Sequence, residues 1–261
     1  MYLRPEVIVS DWSAVERFLR THALGLLTTA IPHAGQSTIQ ASHLPFHFVP
    51  PSSPPQTIQE TSSASLSSNS ILGTWNCSAN QDLGLLRCHL ARANPQAKAL
   101  LAYFEQHESE EVLIVFTDPH NDDGYITPQW YIETKPSTAK TVPTWNYSEL
   151  QVYGSIHPLP REGLSRLIRD LSNTHEQSYV DKVGKNETWK VEDAPEKYID
   201  LLERAIVGFE VRVTKVGFKC KMSREKGEGD RQGVIDGLRS VGQNELAELT
   251  ERLGPMKKTS S

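Results

Sequence analysis

Apolar residues recur along this 261-residue chain mostly with the two-residue period of strands, and with the helical period in only a few places. Trp12, Val15, Phe18 and Leu19 share one helical face behind Ser10 or Asp11 as a cap, which predicts a short amphipathic helix near the N-terminus. LGLLTTA (24–30) and TIQASHLPFHFV (38–49) predict two strands joined as a hairpin by the Pro32 to Gln36 turn. Further strands are expected at ILGTW, LLRCHL, EVLIVFTD (111–118), YITPQWY (125–131) and LQVYGSI (150–156). Many short strands with few helices between them point to a barrel.

Between LLRCHL and EVLIVFTD lies a helix start: Asn94 suits the cap, Pro95 the first turn, and Ala97, Leu100, Leu101 and Phe104 follow at helical spacing. Leu164, Leu167, Ile168 and Leu171 open a helical excursion over 161–205, whose second helix is expected near Pro195 to Arg204. Phe209, Val211 and Val213 alternate in one parity and Val216, Phe218, Cys220 and Met222 in the other, so this stretch is two strands or one bulged strand. Val234, Leu238, Val241 and then Leu246, Leu249, Leu253 predict a C-terminal helical tail over 224–261, punctuated by Gly242. Residues 50–70 are dominated by Ser, Pro and Gln and read as a disordered insert in what is otherwise a single domain spanning 1–261.

Composition narrows the function classes. A net charge of −5 and a pI near 6.0 argue against a surface built mainly for DNA, which stays an unsupported possibility. Cys77, Cys88 and Cys220 are widely spaced and form no CxxC, so neither a disulfide framework nor a zinc site is indicated. There is no run of 18 apolar residues and no signal-peptide pattern at the N-terminus, so no membrane association and a cytoplasmic location are expected, a nuclear one staying open.

The richest chemistry is in LRCHLARANPQAKALLAYF (86–104). A strand carrying His89 and Arg92 runs into a helix N-terminus, a combination suited to an anion such as a phosphate ester. His43 and His47 imitate a metal pair, but on a strand they stand roughly 13 Å apart at about 3.3 Å per residue, and Pro45 argues against a helix. Cys88 and His89, as strand neighbours, point to opposite faces and do not make a nucleophile with its base. No GxSxG, P-loop or GxGxxG occurs. VPTWNYSELQVYG (142–154) gathers Trp145, Tyr147, Asn146, Gln151 and Tyr153, a mix that can pack a planar heterocycle and bond its edge.

Taken in order, SHLP (42–45), RCHLARANPQ (87–96), ITPQWY (126–131), VPTWNY (142–147), VYG (152–154), IVGFE (206–210) and DRQGVIDGLR (230–239) resemble the PaiB-type family, described as FMN-binding negative transcriptional regulators. The resemblance implies an α+β, mainly β fold: a split β-barrel like that of pyridoxamine-phosphate oxidase with peripheral helices, forming a homodimer with FMN at the interface. It further implies that Ser42, His43 and Leu44 line the isoalloxazine, that Cys88, His89 and Arg92 approach the phosphate, that Trp145, Asn146 and Gln151 come from the facing subunit, and that Arg231 and Gln232 close the site. The chain departs from the family pattern at Ala97, at Asn121 to Gly124 and at Arg224 and Glu225. Three activities follow as expectations: a flavin-binding regulator, a flavin-dependent oxidoreductase acting on a small molecule, or a haem-binding or haem-degrading barrel with His43, His89 or His120 as axial ligand.

Overall fold

The computed structural model describes residues 1, 3–55, 74–78, 81–184 and 187–254, so the expected insert lies outside the described residues from position 56 onward. Helix α1 (Trp12–Thr21) begins at Asp11, whose carboxylate accepts the Ser13 amide, and buries Trp12, Val15, Phe18 and Leu19 as its spacing requires. Strand β1 (Leu24–Ala30) pairs antiparallel with β2 (Ile39–Pro45), with Leu26 opposite His43 and Thr28 opposite Ala41.

The long second strand expected over 38–49 is broken. β2 stops at Pro45, and β3 (His47–Val49) pairs instead with β5 (Leu85–Ala91). The sheet runs β2-β1-β6-β9-β10-β5-β3, with β6 at Glu110–Thr117, β9 at Tyr147–Pro158 and β10 at Ile206–Lys221. β2 and β3 therefore lie at opposite ends of the order while only Phe46 separates them in the chain, and this bend closes the sheet into a split barrel. Proline at the bend has no N–H to lose from a ladder. Phe46 fills the corner: its ring meets Phe116 edge-on at 5.5 Å and its amide donates to Ala23 O. β4 (Thr74–Asn76) adds to β10, and β10 itself is one bulged strand, with the register slip between Val213 and Lys215 where the apolar parity changes.

The barrel interior is filled by Leu27, Leu86, Ile114, Phe116, Leu150 and Phe209, all fully buried. Helix α2 (Pro95–Tyr103) plugs one end through Ala97 and Leu100. Helix α4 (Arg161–Val183), much longer than its sequence repeat, lays Leu164, Leu167 and Leu171 outside β10, β5 and β3, and α5 (Glu196–Arg204) follows it.

YITPQWY is not one strand. Only β7 (Tyr125–Ile126) pairs, with β8 (Thr144–Trp145), because Pro128 opens a single 3₁₀ turn and the short helix α3 (Thr134–Thr138) follows. A second core forms where α6 (Glu228–Ser240) and α7 (Asn244–Leu253) pack Val234, Leu238 and Leu246 against Ile126, Tyr131 and Met222. Gly242, at φ +83°, makes the left-handed turn between these helices. Among the described residues no helix is long and apolar enough to cross a membrane.

Candidate functional site

Two features of the barrel exterior adjoin at β2. The first is the outer face of β2, β1, β6 and β9. Register places His43, Leu26, Val115 and Gln151 in one row and Ala41, Thr28, Leu113 and Tyr153 in the next. Leu26, Leu113 and Val115 are only half-buried, and Leu24 and Ile39 are 58% and 69% exposed, so apolar side chains remain on an open sheet face. Gln151 and Tyr153 stand at its far side, linked by a 3.3 Å hydrogen bond from the tyrosine hydroxyl to the amide oxygen.

The second is a groove of about 450 Å³ between β2 and the N-terminus of α2, lined by Gln36, Ile39, Gln40, Ser42, Asn94 and Gln96 among others. Asn94 caps α2 by accepting the Gln96 amide at 2.8 Å, and its own amide donates to Ser42 Oγ at 3.2 Å. Gln96 is buried and donates from Nε2 to Leu27 O, Thr29 Oγ1 and Gln40 O, which locks helix to hairpin. Its Oε1 has no partner, an orphaned acceptor in the groove wall and a place where a ligand hydroxyl can donate. The groove wall thus combines small hydroxyl and amide groups with a helix N-terminus, and the adjoining face is apolar. Such a pair suits an elongated ligand with a polar, anionic end and a flat ring system.

The residues expected from the sequence do not all converge here. Ser42 and His43 do, and Gln151 lies across the sheet in the His43 row. Leu44 and Cys88 point inward and are buried in the core, and burial pushes the Cys88 thiol far above its ordinary pKa. His89 lies on the other side of β5, opposite Gly208, where Leu159 and Leu164 close over the strand. Burial lowers its pKa, and Nδ1 has no partner. Arg92 donates from Nε to Arg204 O at 3.0 Å and lines a separate cavity of about 240 Å³ with Arg161, Leu164, Glu203 and Arg204. It is not part of the groove wall.

Trp145 is 46% exposed and meets Tyr125 edge-on at 5.8 Å. Asn146 is wholly buried between Thr250 and Ser223, with its side chain bonded to both at 3.3 and 3.0 Å, so it helps to hold the second core. Arg231 donates to Thr250 O and Glu251 O at the end of α7, and Gln232 bonds Asp236. The DRQG stretch is an anchor. Asp230 accepts the Glu133 and Thr134 amides at 2.8 and 3.0 Å, and Gly233 and Gly237 leave room for Trp130. Of the three histidines considered for haem, His43 is exposed, His89 is covered as above, and His120 faces Glu245 at 3.7 Å. The sequence reading missed Gln40 and Gln96. The signal available was the NPQ step itself, a polar residue placed one position into a helix that plugs a barrel.

Residues 1–215 match the family model described as "Putative FMN-binding domain". The chain belongs to this FMN-binding family. An uncharacterized family relative from Aspergillus fumigatus is 38% identical over 98% of this chain and 99% of its own, and one from Emericella nidulans is 37% identical with the same coverage. The Bacillus subtilis protein named protease synthase and sporulation protein PAI 2 is 28% identical over 62% of this chain and 70% of its own. Among solved structures, a FAD and heme binding protein from Mycobacterium smegmatis superposes with a TM-score of 0.44 at 11% identity, covering 82% of this chain and 72% of that one. That degree of likeness bears on neither ligand nor reaction. The matched span contains the open sheet face and the groove, and stops within β10, before α6 and α7.

Proposed function

We propose that this protein binds FMN on the open outer face of β2, β1, β6 and β9, with the phosphate end in the Ser42–Asn94–Gln96 groove and a second copy of the chain covering the ring. The observation that carries the reading is the adjacency of that groove to the exposed apolar face, in a chain of the FMN-binding family. His43 and Gln151 edge the ring, the leucines and Val115 pack it, and the capped N-terminus of α2 with Asn94 and Ser42 holds the phosphate. The orphaned Gln96 oxygen fits a ribityl hydroxyl. Bound flavin supplies the electron chemistry, and the chain contributes orientation and exclusion of water.

A role as a transcriptional regulator rests on the PaiB-type resemblance and is supported by no helix-turn-helix among the described elements. The test is to titrate the full chain with FMN, following visible absorption together with mass by analytical ultracentrifugation. Flavin bands co-sedimenting with a dimer, and their loss in Leu113→Glu without a change in circular dichroism, are the expected result. Purified chain that leaves FMN free, or a Leu113→Glu variant that binds it as tightly as the parent, would overturn the reading.

A further inference from the structure

Strand β10 gathers three lysines onto one face. After the bulge, Lys215, Lys219 and Lys221 share parity, and register sets Lys215 opposite Tyr153 and Lys221 opposite Tyr147. Lys215 Nζ stands 3.9 Å from the Tyr153 ring centroid and Lys219 Nζ 4.8 Å from that of Tyr147. Among the described residues, no carboxylate comes within ion-pairing distance of Lys215, Lys219 or Lys221. The nearest candidate in register, Glu149 opposite Lys219, accepts instead from Gln151.

Lys219 and Lys221 line a groove of about 400 Å³ with Arg4, Val7, Thr144, Trp145 and Tyr147. Lys221 is held by Thr144 Oγ1 and by Trp145 O at 2.9 Å, which ties β8 to the end of β10, and the half-exposed Trp145 lines the same groove. Arg4 carries a partner of its own, Glu6 at 3.3 Å. Burial, opposed by the attraction of Glu225 and reinforced by Arg4, Lys219 and Lys226, lowers the Lys221 pKa.

We propose that this groove is a binding site for a phosphorylated nucleoside, its base stacked on Trp145 and its phosphate held by Lys219, Lys221 and Arg4. Cations and an open aromatic face within one groove are the two elements that recognise such a ligand. The groove's size fits one nucleotide rather than a nucleic acid strand, and the chain's net charge of −5 offers no extended cationic track around it. The site shares no lining residue with the Ser42–Asn94 groove.

Calorimetric titration of the full chain with adenosine and uridine monophosphates, alone and with saturating FMN, tests it. Binding that persists with FMN present, weakens with added salt, and falls about tenfold or more in Lys219→Gln and in Trp145→Leu is the expected result. Lys219→Arg and Trp145→Phe keep charge and ring and retain most of the affinity, which separates recognition from a folding defect. Absence of binding to the parent chain, equal affinity in both disruptive variants, or displacement of the monophosphates by FMN would overturn the proposal. So would a single-stranded oligonucleotide binding far more tightly than either monophosphate.

Discussion

Gly237 shows how a family motif can look functional while serving packing. A methyl group there would meet the Trp130 ring at 2.2 Å, and one at Gly233 would meet Trp130 O at 2.0 Å, so α6 can dock on the 3₁₀ turn only through glycines. Gly237→Ala is expected to destabilise the chain by about 1–3 kcal/mol through overpacking, seen as a lower midpoint in urea unfolding. Asn146 is similar. Its replacement by Ala leaves the buried Thr250 and Ser223 hydroxyls without the partner they now share, at about 1–3 kcal/mol. Flavin affinity in folded Asn146→Ala is expected to stay close to that of the parent, since Asn146 lies in the second core and the groove does not. The partners of Asn146 and Arg231 were not legible in the sequence, because a residue type tells which bonds it can make and not which neighbours the fold supplies.

Among the elements, the break at Phe46 decides most. The alternation from Ile39 to Val49 reads as one strand, and each half does keep strand geometry. What alternation cannot show is that the two halves pair with different neighbours, β1 and β5, because pairing depends on residues far along the chain. Phe46→Ala empties the corner against Phe116 and is expected to cost about 3–5 kcal/mol, measurable by equilibrium denaturation. α2 was legible from cap to core, since Asn94, Pro95 and the apolar spacing act within a few residues. Arg92, two residues before the cap, was expected at the phosphate, yet the C-terminus of α5 takes its Nε.

For the whole molecule, one carboxylate of α6, Asp230, carries a defined pH response. Burial alone would raise the pKa of Asp230, but hydrogen bonds from Thr134 and Glu133 outweigh it and hold the group below its ordinary value of 3.8. A lowered folded-state pKa stabilises the native state above the ordinary value, and that contribution is lost as pH falls through the lowered one. Thermal unfolding of the parent and of Asp230→Asn is therefore expected to differ at neutral pH and to converge as the solution is acidified below about 3.8. A gap that stays constant down to the lowest pH would assign the difference to packing instead.

The sequence by itself determined most of the strands, the capped helices α1 and α2, the change of apolar parity within β10 and the membership in a split-barrel family, since each of these is written in short-range periodicity, capping chemistry or ordered motifs. Tertiary structure alone decided which side of each strand meets solvent, helix or core. It placed Cys88 inside and His89 opposite Gly208 on the other side of β5, sent Asn146 and Arg231 to the second core, and brought Gln40 and Gln96 to the groove beside Ser42 and Asn94. The physical reason is that a barrel is closed by hydrogen bonds between segments distant in sequence, so the surroundings of a side chain are set by register and closure, which no local pattern encodes.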